Sequence, residues 1–125
     1  MSSWPPICID FTIMLPAITS RLEGYMDLLA DRQKLVAANL ANLDTPGYRT
    51  RDLDFQFEVL SQTPGGSPNV IEPTGLTMKN DGNNVSLDRE SRLLAENALR
   101  FNVATNLLRN ELRIVRKAID EGKGA

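Results

Sequence analysis

The tetrapeptide Thr45-Pro46-Gly47-Tyr48 constrains this chain more than any other segment, because it interrupts a long helical pattern at a place where no helix can continue. The residue before a proline is biased out of the helical region, and proline second with glycine third is the composition of a type II turn. The helical pattern therefore stops near Leu43. A second long pattern fills the other end of the chain, so the expected architecture is two helices joined at a sharp corner by an irregular middle.

The first pattern places apolar residues at Leu15, Ile18, Leu22, Tyr25, Leu29, Val36 and Leu43, in alternating steps of three and four, with Arg32 and Asn39 at the interruptions. This is a heptad seam, in which polar residues serve to fix register. The second seam, Leu94, Ala98, Phe101, Thr105, Leu108, Leu112, Val115 and Ile119, has no gap and no Gly or Pro. Ser86 is a suitable N-cap, Asp88 and Glu90 complement the helix dipole in the first turn, and the helix is expected to end before Gly122. Roughly 35 residues at 1.5 Å each make a rod of roughly 50 Å, which needs a partner along its length.

The fold expected is all-α: long N- and C-terminal helices packed as an antiparallel coiled-coil-like hairpin, joined by an irregular flexible middle segment. The expected boundaries are a disordered extension over 1–14, a first helix over 15–43, a turn motif and linker over 44–85, and a second helix over 86–121. The seam is assigned to Leu22, Tyr25, Leu29 and Val36 on one helix and Leu94, Phe101, Leu108, Leu112 and Val115 on the other. Setting Leu43 against Leu94 brings Leu22 near Val115, and Glu23 and Asp27 near the basic stripe Arg109, Arg113 and Arg116. Such exposed pairs contribute about 0 to 1 kcal/mol each, enough to select orientation more than stability.

A second apolar row, Leu99, Val103, Leu107 and Ile114, lies well round the second helix from its seam, and Leu28 and Leu35 flank the seam of the first. One partner helix does not cover both sides. Burial of a large aliphatic side chain is worth roughly 1.5 to 3 kcal/mol, so these rows point to self-association or to packing in a larger helical array, with Leu99, Val103, Leu107 and Ile114 as the subunit contact. The alternative is that the middle segment folds back over them.

That middle is rich in breakers: Pro64, Pro68, Pro73, Gly65, Gly66, Gly75 and Gly82. Leu53, Phe55, Phe57 and Val59 alternate as in a strand, yet Asp54 is equally placed to cap a short helix burying Phe57 and Leu60; the short helix is the reading we favour. Asp52 and Asp54 read as turn and cap residues, Thr63 to Asn69 as a flexible linker, and Asp81-Gly82-Asn83-Asn84 as a tight turn feeding the second helix. Neither glycine pair has the Lys-Ser/Thr ending of a phosphate loop.

Composition removes whole classes of function. The 125 residues hold no histidine and one cysteine, Cys8. The usual nucleophile–base pair and the commonest metal ligand are thus missing, no EF-hand spacing is present, and no catalytic, cofactor or metal residue is assigned. A net charge of −2 and a pI near 5.1 carry no electrostatic footprint for nucleic acid. Residues 1–16 contain Asp10 and three prolines and lack a basic leader, so they make a poor signal peptide, and no run approaches the roughly 20 apolar residues of a membrane helix. Because the helical periodicity starts at Leu15, Met14 is a candidate for the biological start.

Asn39-Leu40-Ala41-Asn42, then Asp44-Thr45-Pro46-Gly47-Tyr48 and Arg51-Asp52-Leu53-Asp54-Phe55, resemble the N-terminal signature of the bacterial flagellar rod proteins within the flagellar axial family, and the Arg-Asp-x-Asp-Phe continuation resembles the proximal rod branch. Asp81 to Glu90, followed by Ala95-Glu96-Asn97-Ala98 and Phe101, is similar to the same family's entry into the C-terminal helix. The likeness covers roughly residues 15 to 121. Leu43 stands where a small residue is common and Phe101 where tyrosine is common; both keep an apolar role. The resemblance implies a structural subunit of the basal-body rod, exported through the flagellar type III apparatus without a cleaved signal. It also implies self-association, and other rod proteins and the junction of MS ring and export gate as neighbours. The competing expectation is a soluble coiled-coil adaptor or secretion chaperone.

Overall fold

The computed structural model describes residues 6–62 and 65–123, with side chains described from Met14 onward. Five elements follow in order: α1 (Pro6–Ala41), β1 (Asp52–Leu53), α2 (Phe55–Ser61), β2 (Val70–Ile71) and α3 (Leu87–Lys123). The long helices run antiparallel, and the middle segment folds against the side of α1. The architecture is the expected helical hairpin.

Helix α1 begins at Pro6, not at Leu15, so helical backbone replaces the disordered extension over residues 6–14. The first five residues of that extension lie outside the described ones. Proline is pre-organised for the first turn, where its missing N–H has no intrahelical partner anyway. Pro16 sits inside α1 and removes one backbone donor, while nearby the Thr19 hydroxyl donates to the Leu15 carbonyl at 3.0 Å.

The register of the hairpin differs from the expected one by about one heptad. Asn39 meets Glu90 and Gln33 meets Asn97, which sets Leu43 near the start of α3 and not against Leu94. A heptad seam repeats every seven residues, so apolar periodicity alone does not separate the two pairings; the polar contacts decide. One consequence is that Glu23 and Asp27 form no ion pair with Arg109, Arg113 or Arg116 among the described residues.

The stripe that α3 turns toward α1 is also rotated, by about one residue. Glu90, Leu93, Asn97 and Ala104 are buried, Leu108 and Val115 are half-buried, and Leu94, Phe101 and Leu112 of the expected seam are exposed. On α1 the buried positions are Leu28, Leu29, Val36 and Asn39, with Leu22 and Tyr25 half-buried. Among the described side chains, the buried positions of both helices fall toward the corner, from Leu28 on α1 and up to Ala104 on α3.

The irregular middle holds three short elements. Strands β1 and β2 pair antiparallel, Asp52 opposite Ile71 and Leu53 opposite Val70. The short helix favoured from sequence is present as α2, but its buried face is not the expected one: Phe57 and Leu60 are 58% and 77% exposed. Phe55 is turned inward instead, because its ring lies 4.9 Å from the Arg32 guanidinium, 5.4 Å from that of Arg100 and 5.9 Å from the Tyr25 ring. A cation over an aromatic face is attracted by the ring quadrupole. Asp54 occupies the N-cap position through its carbonyl, which accepts from the Glu58 N–H, and its side chain makes no cap bond. Gln62 ends α2 in the left-handed region and its amide donates to the Arg21 carbonyl at 3.2 Å. Gly24 makes room for that approach: a Cβ there would stand 3.2 Å from Gln62 Oε1, so the glutamine would have to give slightly.

Candidate functional site

The residues singled out by their motif converge at the corner where α1 ends and α3 begins. Gly47 has φ +73°, and the Tyr48 N–H donates to the Thr45 carbonyl at 3.3 Å. Both features suit the type II turn that Pro46-Gly47 dictates. The second half of the chain then closes on this turn. The Gly47 N–H donates to the Asp81 carbonyl at 2.9 Å, and Gly82 lies so close that a Cβ there would stand 3.5 Å from the Gly47 Cα.

Asn83 and Asn84 do the joining. The Asn83 amide reaches the carbonyls of Asn42, Leu43 and Thr45 at 2.9, 3.0 and 2.9 Å, while its Oδ1 accepts from the Val85 N–H. These carbonyls belong to the turn that follows Ala41; backbone carbonyls outside a helix or sheet need partners of their own, and here a side chain some forty residues away supplies one. Lys79 adds a bond to the Leu43 carbonyl at 3.1 Å. Asn84 Oδ1 accepts from the Thr50 N–H at 2.6 Å, and the Thr50 hydroxyl returns a bond to the Asn84 carbonyl.

Asn39 is the hub. Fully buried, it donates to the Arg51 carbonyl at 2.7 Å and to Glu90 Oε2 at 3.1 Å, and it accepts from the Tyr48 hydroxyl and the Arg51 N–H, each at 3.1 Å. A primary amide offers two donors and two acceptor lone pairs, and all four are used. From Glu90 a chain of charges runs outward: Glu90 Oε1 to Arg89 at 2.7 Å, Arg89 to Asp52 at 2.5 Å, and Asp52 to Arg32 through two bonds of 2.9 Å. Two cations and two carboxylates alternate, so the buried chain sums to zero. Burial raises the Asp52 carboxyl, but the bidentate bond and charge of Arg32, with Arg89 and the Leu53 N–H, outweigh it and hold the group below its ordinary range.

Arg32 and Asn39, read as interruptions of a seam, thus connect α1 to β1 and α3. Asn42 donates to the Ala38 carbonyl and accepts from the Thr45 hydroxyl, so it finishes the last turn of α1. Asp44 and Pro46 are exposed at the turn, and Arg51 enters the network through its backbone. Asp52 is an ion-pair centre and not merely a turn residue. Sequence reasoning passed over Asn83, Asn84, Arg89 and Glu90 as functional positions. The available signal was the heptad series Glu90, Asn97, Ala104, which places two polar residues and a small one where a seam wants bulk.

Nothing in this arrangement offers open chemistry. Each carboxylate of the network is paired, and among the described residues no three His, Cys, Asp or Glu side chains converge as a metal site. No helix of the described residues is long and apolar enough to cross a membrane. What the corner does is lock a long helical hairpin in one register, while Leu99, Val103, Leu107 and Ile114 stay 66, 52, 48 and 50% exposed farther along. A long helix thus carries an aliphatic row that nothing in this chain covers among the described residues.

Comparison with known proteins places this class. Residues 26–49 match the family model described as flagella basal body rod protein. The chain is 30% identical over 129 residues to the flagellar basal body rod protein FlgB of Salmonella typhimurium, covering 80% of this chain and 91% of that one. It is 28% identical to FlgB of Escherichia coli K12 over the same shares, and 28% identical to FlgB of Borrelia hermsii over 73% of this chain and 87% of the relative. The chain belongs to the flagellar basal body rod protein family. These relatives are structural rod proteins of the flagellar basal body, and nothing in them favours the adaptor or chaperone reading.

Proposed function

We propose that the chain is a structural subunit of the proximal rod of the flagellar basal body and polymerises through α1 and α3. What supports this reading is the unequal burial of the hairpin: polar groups paired and buried at the corner, and an aliphatic row along the outer side of α3, Leu99, Val103, Leu107 and Ile114, open to solvent. Large contiguous apolar surface on a small chain marks an interaction site, and repeated heterologous contacts that do not close into a ring build helical rods. The corner, from Asn39 to Phe55 with Asp81 to Glu90, holds the two helices at the length and phase that neighbours must match.

In this reading the row Leu99, Val103, Leu107 and Ile114 meets adjacent subunits. The chain reaches its place in the periplasm through the flagellar type III apparatus without a cleaved signal, and its neighbours are copies of itself, other rod proteins and the junction of MS ring and export gate. It carries out no reaction and binds neither nucleic acid nor a cofactor. The test is mass spectrometry of basal bodies purified from the source organism. The chain is expected in stoichiometric amounts with the other rod components. Complete basal bodies from motile cells that lack it would contradict the assignment.

A further inference from the structure

Beside the seam, α1 and α3 leave an open groove of about 580 Å³ lined by Leu29, Ala30, Gln33, Ala37, Asn97, Ala98 and Phe101, with Lys34 at its edge. Three alanines make its floor shallow and apolar. Asn97 is 3% exposed; its amide donates to Gln33 at 3.2 Å, but its Oδ1 is buried without a hydrogen-bond partner. Buried polar atoms are nearly always paired, so this face is short of one donor as well as of apolar cover. Spacing of four, seven, eleven and fourteen residues puts Glu23, Asp27, Ala30, Lys34 and Ala37 on one side of α1. Beyond the groove, Glu23 and Asp27 carry the same side of α1 into an acidic edge, while Lys34 is paired with Asp31 at 3.3 Å.

The complementary surface lies on α3. Leu112 and Ile119 are 54 and 52% exposed and continue the side of the helix that carries Phe101. Arg109, Arg113 and Arg116 stand three or four residues from Leu112 or from one another and edge that row, with Asp120 the acidic residue at its far end. Arg113 donates to Asn110, and none of the three arginines forms an ion pair with a described residue. In the hairpin's actual register the acidic and basic edges do not neutralise each other within one chain.

Resting on the rod reading, we infer that the acid-edged groove of one copy receives the arginine-edged Leu112–Ile119 end of α3 from a second copy. Each copy carries both halves, so the contact is heterologous and leaves one groove and one row open for further addition. Opposite charges at the rim fix orientation and partner choice, and the aliphatic row fills the alanine floor.

Charge-swap complementation tests this in cells lacking the chromosomal copy, with incorporation into purified basal bodies as the readout. The triple change Arg109→Glu, Arg113→Glu, Arg116→Glu and the triple change Glu23→Arg, Asp27→Arg, Asp31→Arg are each expected to lower incorporation at least tenfold. Co-expression of the two chains, or all six changes in one chain, is expected to restore it, because every groove again meets a row of opposite sign. Replacing the three arginines by lysine, which keeps the charge and controls for folding, is expected to leave incorporation unchanged. Normal incorporation of either reversed chain, or failure of the six-fold variant to recover, would overturn the inference. So would loss of a different rod component from the groove variant alone, which would assign the groove to that protein. Wild-type chain found in basal bodies alongside any of these results leaves the rod reading standing; its absence from them defeats that reading instead.

Discussion

The corner end and the far end of the hairpin are built from the same two helices by opposite means. At the corner, from Leu28 to Phe55 and from Asp81 to Ala104, polar groups are buried and almost all satisfied, around Leu29, Val36, Leu53, Val85 and Leu93. At the far end, α1 before Tyr25 and α3 after Ala104 carry apolar side chains that are mostly open, Ile18, Leu107, Leu112, Ile114 and Ile119 among them. Apolar burial is non-directional and tolerates sliding, whereas a buried amide with four partners does not. Polar specificity sits where one geometry is kept, and the apolar surface stays open elsewhere.

The sharpest way to break this contrast is to cut the charged chain. Asp52→Ala strands Arg32 and leaves Arg89 with Glu90 alone, and removal of one partner from a largely buried ion-pair network costs about 3 to 5 kcal/mol. Denaturant titration followed by circular dichroism should show the loss. Leu29→Ala, which empties the centre of the seam, should cost about 2 to 5 kcal/mol in the same assay. Asn83→Ala leaves the carbonyls of Asn42, Leu43 and Thr45 without this donor, with an expected loss of about 1 to 3 kcal/mol and selective loosening of the turn after α1 in hydrogen exchange. By contrast Leu112→Ser or Ile114→Ser, at exposed positions, should change the stability of the isolated chain by no more than about 0.5 kcal/mol while reducing assembly. A distal substitution that destabilised the monomer as much as Leu29→Ala would erase the distinction between the two ends.

Acid offers a further cut. The Asp52 carboxyl is held below its unfolded value, so the unfolded chain binds the extra proton first as pH falls. The stability it contributes is present above about pH 4, the ordinary carboxylate range, and is lost as pH falls through the folded value. The isolated chain should therefore lose corner stability below about pH 4. Asp52→Asn should flatten that part of the profile, and an unchanged acid limb would remove Asp52 from the account.

Much of this was legible in the residues. Thr45-Pro46-Gly47-Tyr48 specified its turn, because Pro and Gly restrict the backbone locally. Ser86 specified the start of α3, where its hydroxyl accepts from the Arg89 N–H at 3.3 Å. The two helices and their antiparallel packing followed from heptad spacing. The register did not, because a seven-residue repeat is degenerate under a seven-residue shift and the contacts that break the degeneracy pair Asn39 with Glu90, 51 positions apart. The same distance hid the asparagine cap: Asn83 looks like an ordinary turn residue until the end of α1 is placed beside it. Phe55 was legible as apolar, but its inward direction depends on Arg32 and Arg100, which come from two different helices.

Hydrogen exchange measured segment by segment, on the isolated chain and on rods assembled in basal bodies, addresses the central claim most directly. The account predicts strong protection of residues 28–41 and 87–104 in both states, and protection of 105–123 that rises sharply only on assembly. Equal protection of 105–123 in the isolated chain, or its persistent exchange in assembled rods, would contradict it.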